Sequence, residues 1–554
     1  MSRFRILVVL CALIFSGCAS IPTDGAPQEV DRPKDVVGGV VLDPKGPTPG
    51  SSPENVVSDF LRAAGAGLST DYSVARQFLT PEAAESWNPT SSVRVYQDSQ
   101  NLAMSQTRSG AIRISATAQA TIDDSGRYTT ANADAIVNSE FSLIRNAAGE
   151  WRISQLDDGV IIPSTIFQSL YHETPLYFVT PDRAALVADV RWFPSNGLAT
   201  RAVQALLRGP SSWLAAAVYS AVPTDTALSD SGVTISDGIA RVDLSSHVAS
   251  LSSTDLVLLD AQVSKTLSNL SGIQQVQLTS QGVGLDIPNR IDLPSYPYAS
   301  YLLAGVSAGV PVTITKTSQD AITSVVQDIG ALATSYTNPQ YAAAVSTDRR
   351  RIYRINMETG DTRVLLDGQN LVTPSIDADG WVWNAEANSA KLIAVNLTTL
   401  ERVDINVPWL AGATIRSLAM SREGSRLVVV SAKDSVAAVN AVAVNRSNAG
   451  VPTEAGDPIR FAPQLSDVID IAWVSDSRLA VLGRQASTSN FAVYIEGIGV
   501  PSSSLSAIEK VVALTAGRGT DSIVLQSSDN RLYSFDGAGW TKIADNVTAP
   551  AYPG

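Results

Sequence analysis

The feature that most constrains this 554-residue chain is a turn-plus-strand unit that returns through its second half. It begins at Thr347 (TDRRRIYRI), Asp377 (DADGWVWNA), Ser421 (SREGSRLVVVSA), Val474 (VSDSRLAVLG) and Ser527 (SSDNRLYSFDG), at intervals of 30, 44, 53 and 53 residues. Short apolar strands alternate with polar turns from about Leu293 to Gly554, and long amphipathic helices are scarce there. A period near 40–50 residues suits blades of four short strands, because one blade cannot bury both faces until neighbours stack on it. At roughly 45 residues per blade, residues 293–554 are predicted to form an all-β propeller of five to six blades. A pair of β-sandwiches, which would show the turns without a blade-length unit, is the alternative.

Two further domains are expected upstream. In 52–163, Ser52 caps a helix that has Pro53 at its first position, with Val56, Val57, Phe60, Leu61 and Ala64 at helical spacing. Thr80-Pro81 starts a second helix, and Ile112 to Ile122 alternate as a strand does. Helices first and an antiparallel sheet afterwards predict an α+β fold. The order, ending in EWRISQLDDGV, is similar to an NTF2-like cone. In 174–290, LYFVT and Val187 to Trp192 read as strands, and Leu198 to Leu207 as a helix stopped at Arg208-Gly209-Pro210. A strand then follows the Asp237-Gly238 turn. Ser253 or Thr254 caps a longer helix striped by Leu256, Leu259, Val263, Leu267 and Leu270. With LLRGP, VPTDTAL, GIARVDLSS and IQQVQL, this succession resembles the GerMN domain of spore-germination lipoproteins, an α/β module.

Residues 1–17 place Arg3 and Arg5 before an apolar run from Ile6 to Phe15, which is the architecture of a secretory signal peptide. Ten apolar residues are too few for a helix across a hydrocarbon core, which takes about 20. Phe15-Ser16-Gly17-Cys18 resembles a bacterial lipobox. That likeness implies that Cys18 is acylated, begins the mature chain and ties it to the membrane, whereas a plain secretory signal would leave Cys18 unmodified. From there to about residue 51 the chain is rich in Pro, Gly, Asp and Thr, so 18–51 reads as a lipidated flexible tether.

Taken in order, lipobox, NTF2-like segment, GerMN module and propeller resemble the LpqB-type lipoproteins of actinobacteria. The resemblance implies a multidomain protein on the extracytoplasmic face of the cell membrane. It also implies a partner, the extracellular domain of the Mtr sensor histidine kinase, whose signalling in cell-wall homeostasis and division the lipoprotein modulates. Binding of a cell-wall glycan or polymer is the rival expectation, and a propeller hydrolase acting through two carboxylates is a third.

Other chemistries find little support. Cys11 and Cys18 are the only cysteines, so nothing beyond position 18 forms a disulfide or a thiolate metal site. Forty basic against 53 acidic residues give a net charge of −13, which disfavours nucleic acid. Gly305-Val306-Ser307-Ala308-Gly309 matches G-x-S-x-G, but His172 and His247, the only histidines, both precede Ser307, and the hydrolase order needs a later one. Ser307 is therefore read as part of a turn. Asp377-Ala378-Asp379-Gly380 resembles a fragment of a calcium loop without its later ligands, and is read as a hairpin turn with Trp381 and Trp383 as strand residues. Both histidines are read as surface residues. Arg349-Arg350-Arg351 is the sharpest basic cluster, suited to an acidic partner or to solvent. No catalytic residue, cofactor or metal is expected, and the chain is read as a non-enzyme.

Overall fold

Hydroxyl caps start two helices of the first domain. Ser52 Oγ accepts the Asn55 N–H and Thr80 Oγ1 the Ala83 N–H, each with proline next, so the helices Pro53–Gly65 and Pro81–Ser86 begin where the sequence places them. The computed structural model describes residues 44–67, 71–98, 102–297, 302–315, 319–321, 328–447 and 449–554. The signal segment, Cys18 and most of the tether lie outside the described residues.

In this first domain the strand Ile112–Asp123 is the spine of a seven-stranded sheet, and its alternate side chains are buried. Ser92–Tyr96 pairs antiparallel with it and parallel with Val160–Pro163, so the last strand returns beside the first. The helix Pro53–Gly65 lies on this sheet through Val56, Val57 and Phe60. Edge-to-face contacts of Phe60 with Trp87 and Phe141, at 5.3 and 5.9 Å, fix its position.

The second domain joins the parallel strands Ile239–Leu244 and Gln275–Ser280 through the helix Ser253–Ser268. Ser252 caps this helix, one residue earlier than expected, accepting the Asp255 N–H at 3.1 Å while its hydroxyl donates to the Asp255 carboxylate at 2.7 Å. Leu258 replaces the expected Leu256 in the buried stripe beside Leu259, Val263 and Leu267, because the face turned to the strands is set by that start. Beside this unit lies a hairpin of Tyr171–Val179 and Leu186–Pro194. All nine residues of Leu186–Pro194 are buried. One face meets the helices of its own domain, and the other is covered by the first and third domains.

The third domain is a propeller of six four-stranded sheets, one of which carries an extra short strand. Its inner strands begin at Ile329, Ser375, Thr414, Leu465, Val511 and Thr548, at intervals of 46, 39, 51, 46 and 37 residues. The recurring units at Asp377, Ser421 and Val474 occupy the turn between first and second strands of their blades, whereas Thr347 and Ser527 lie between second and third. Mixing two turn positions widens the irregularity of the sequence period beyond that of the blades themselves. The ring closes with the C-terminal strand Thr548–Ala551, which pairs with Leu303–Ser307 and becomes the inner strand of the first blade. Inner strands contact one another all the way round, including Thr548–Ala551 against Ile329–Thr334.

Closure explains the G-x-S-x-G stretch. A Cβ at Gly305 would stand 2.5 Å from Val547, so only glycine admits the closing strand. Ala308 and Gly309, with φ of 49° and 78°, form the two-residue turn of the next hairpin, and Ser307 pairs with Val310. Removing residues 548–554 leaves the first blade without its inner strand. Thermal unfolding of that truncated protein is expected to lose its single cooperative transition, with a melting point at least ~10 °C lower, since several kcal/mol of buried contacts disappear.

Candidate functional site

Two features define what a partner can meet: a junction that occupies one propeller face, and the opposite face, which carries the channel mouth. At the junction the hairpin is tied to the turns of the fourth and fifth blades. Tyr177 Oη donates to Asp476 at 2.9 Å, Arg478 pairs with Glu173 at 2.5 Å, and Arg426 donates to the carbonyls of Ala188 and Asp476 at 3.2 and 2.7 Å. Arg426 is itself held by Glu423 at 2.8 Å and lies 4.8 Å over the Trp473 ring. Burial pushes the Tyr177 hydroxyl up, and the Asp476 charge pushes it further, so it remains a donor. Glu173 is also pushed up by burial, against the pull of Arg478.

The same hairpin grips the first domain. Trp192 N–H donates to the Gly126 carbonyl at 2.7 Å, and its indole Nε1 to Gly499 of the propeller at 2.8 Å. Its ring packs on Phe167 and Tyr128, at 4.9 and 5.9 Å. A Cβ on Gly126 would fall 2.7 Å from the Phe193 ring, which makes glycine necessary at this approach. Arg191 reaches the Ser125 carbonyl at 2.9 Å while paired with Asp189 at 2.9 Å, and both side chains are buried. The strand expected over Val187 to Trp192 runs from Leu186 to Pro194, and its Asp and Arg inside an apolar run are the sequence signal of burial on both sides.

The inner strands enclose a channel cavity of about 310 Å³, lined in part by Leu332, Ser375, Ser417, Asp470, Leu514 and Ala551. Asp470 straps three blades together. Its carboxylate accepts from Ser417 Oγ at 2.8 Å and from the Leu514 N–H at 3.1 Å; burial raises its pKa against these bonds. Arg422 stands at the junction end, its guanidinium reaching Tyr296 Oη at 3.4 Å and the Ala516 carbonyl at 3.3 Å. Arg349 lines the same cavity and donates to the Leu371 carbonyl at 3.1 Å.

The face opposite the junction is built by turns between second and third strands. Thr347–Arg350, Asp434–Ser435 and Ser528–Asn530 are all exposed on it. The cluster Arg349-Arg350-Arg351 lies here, with Arg351 3.5 Å from Asp367. Asp377 and Asp379 lie on the junction side instead. Asp377 is fully buried, accepting the Trp381 N–H and the Trp383 indole, each at 2.8 Å, and pairing with Arg446 at 2.5 Å. Asp379 is 3.1 Å from Arg446, and burial raises it to about 6. Arg446, which the sequence reading overlooked, thus holds the charge that a calcium ion would, and the turn is structural. His172 Nε2 meets Ser195 Oγ at 2.9 Å and His247 Nδ1 meets Ser245 Oγ at 3.1 Å, both in exposed positions. No group of three metal-ligating side chains occurs among the described residues.

Family models cover most of the chain: lipoprotein LpqB, N-terminal domain, at residues 46–168; sporulation and spore germination at 175–286; and lipoprotein LpqB beta-propeller domain at 313–553. The lipoprotein LpqB of Cutibacterium acnes is 26% identical, across 99% of this chain and 98% of that one. That of Thermobifida fusca is 26% identical, across 98% and 97%. Among solved structures, the first GerMN domain of the sporulation protein GerM from Bacillus subtilis is 25% identical over 22% of this chain and 92% of that one, with a TM-score of 0.19.

Two outcomes follow for the junction side. Asp377→Ala leaves Arg446 buried without its main counter-charge, and denaturant unfolding is expected to show a loss of about 3–5 kcal/mol. Glu496 accepts from Gln464 at 2.6 Å and from Ser502, yet burial raises it from 4.5 to about 7. Because its folded pKa lies above the unfolded one, its stabilising contribution is complete below about pH 4.5 and is lost as pH rises through about 7. Glu496→Gln keeps the acceptor and removes the titration. It should match the parent protein at pH 4.5 and exceed it at pH 8 by about 3 kcal/mol in denaturant titrations.

Proposed function

Because this chain belongs to the LpqB lipoproteins, we propose that it is a lipid-anchored extracytoplasmic accessory protein that binds the extracellular domain of a sensor histidine kinase and modulates its signalling. The family is one of lipoproteins, and among the described residues no helix is long and apolar enough to cross a membrane. In this reading Cys18 carries the acyl chains and residues 18–51 tether the domains to the outer leaflet. Two or more acyl chains give stable attachment where one is marginal.

The observation that carries the reading is the uncovered propeller face. Exposed turns of several blades, Thr347–Arg350, Asp434–Ser435 and Ser528–Asn530 among them, surround a channel mouth with the Arg349-Arg350-Arg351 cluster, while the hairpin junction occupies the other face. A rigid, polar, solvent-facing platform of this kind suits recognition of a folded partner, and the buried acids Glu423 and Asp377, on the junction side, are consumed by structural ion pairs rather than aimed at a substrate. Modulation is then a matter of mass action. A lipoprotein that prefers one signalling state of the kinase shifts its population by the difference in affinity, and equal affinity would shift nothing.

Crosslinking from the outer face of cells, with a strain whose kinase lacks its extracellular domain as control, is expected to recover the sensor only when that domain is present. Recovery that ignores its loss would refute the partner. Replacing Cys18 with Ser should move the protein from the membrane to the soluble fraction, and Arg350→Glu, at an exposed position, should cut the crosslinking yield without lowering the melting point.

A further inference from the structure

Between the first and second domains lies a cleft of about 1200 Å³, several times the volume of the propeller channel. Tyr72 of the first domain and Tyr171 at the start of the hairpin line it. Both rings are more than nine-tenths buried, at 5% and 7% exposure. Their rings are fixed by aromatic neighbours: Tyr72 meets Trp87 edge-on at 5.8 Å, and Tyr171 stacks on Phe167 at 5.1 Å. Their hydroxyls bond to no described residue and are not among the fully buried polar atoms, so both open on the cleft, where a ligand can reach them.

Arg201, on the helix Leu198–Arg208, reaches the same place. All three line the one cleft, and the Arg201 charge lowers both phenols against the burial that raises them. Only the Nε of Arg201 is engaged, donating to the Asn196 carbonyl at 3.3 Å. Around them the wall mixes both polarities. Arg208 adds a second cation, while Asp71, Asp123 and Asp124 supply carboxylates, and Trp192, Phe193 and Leu207 supply apolar surface.

That combination selects a ligand class. A strong anion would face three carboxylates, and a strong cation would face two guanidinium groups. An uncharged chain of hydroxyl groups can donate to the acids, accept from the phenols and Arg201, and lay its C–H faces on the apolar wall. We infer that the cleft between the first and second domains is a binding site for a neutral oligosaccharide, with Tyr72, Tyr171 and Arg201 as its recognition groups. The site is separate from the propeller face assigned to the kinase, and either assignment can fail without the other.

The test is calorimetric titration of the full chain in detergent with chitotetraose, cellotetraose and mannotetraose, and with tetragalacturonate and chitosan tetramer as anionic and cationic controls. At least one neutral tetramer is expected to bind saturably and more tightly than both charged controls. The double variant Tyr72→Phe/Tyr171→Phe, which keeps both rings, should weaken it about tenfold, as loss of two hydrogen bonds does. Arg201→Gln, at an exposed position, should weaken it several-fold with an unchanged melting point and serves should the double variant unfold. Absence of binding by every neutral tetramer, tighter binding of a charged control, or binding unaffected by the variants would overturn the assignment.

Discussion

The strand Leu186–Pro194 is the constraint on which the arrangement of the three domains depends. It is buried along its whole length, so its charged side chains depend on protein partners, which reach all of them except Arg191 Nε. Asp189 is met by Arg191 and by the Ser211 amide and hydroxyl, and Arg191 by the Ser125 carbonyl. A buried ion pair adds little net stability over a packed apolar pair, but breaking one half is costly. The pair therefore acts on geometry: it holds the Arg191 guanidinium toward the first domain, which cannot swing away without withdrawing the Ser125 carbonyl from it. Trp192 does the same on the other side, with one hydrogen bond to each neighbouring domain.

A fixed junction has a functional consequence. It takes one face of the propeller out of contention for partners and gives the opposite face a constant orientation relative to the first two domains. It also defines the cleft in which Tyr72, Tyr171 and Arg201 converge, because Tyr171 begins the hairpin whose far end carries Trp192 and Phe193. The exposed propeller face and the cleft are thus consequences of the same packing.

The acids distribute by the same logic. Asp377, Glu423 and Asp189 are buried with arginines, and Asp470 binds three inner strands through a hydroxyl and backbone amides. Each is held by groups that keep a carboxylate in place. In a chain of net charge −13, burying some acids this way while leaving an arginine cluster exposed concentrates positive potential at one turn.

Much of the fold was legible in the sequence. The caps at Ser52 and Thr80, the alternation from Ile112 to Ile122, the Asp237-Gly238 turn and the blade-like repeat follow from rules that act over a few residues, so local chemistry reveals them. So does the exclusion of a disulfide framework beyond position 18, which requires only counting cysteines. What the tertiary structure decided is whatever depends on distant residues meeting. The number of blades was settled by a C-terminal strand that completes the first blade, a pairing across more than 240 residues, between Val306 and Thr548. The role of the Asp377 turn was settled by Arg446, 69 positions away. The burial of LVADVRWFP on both sides, and the cleft on which Tyr72 and Tyr171 open, arise because separate domains meet at one hairpin. Sequence periodicity reports which face of an element is apolar; it does not report how many neighbours will come to cover it.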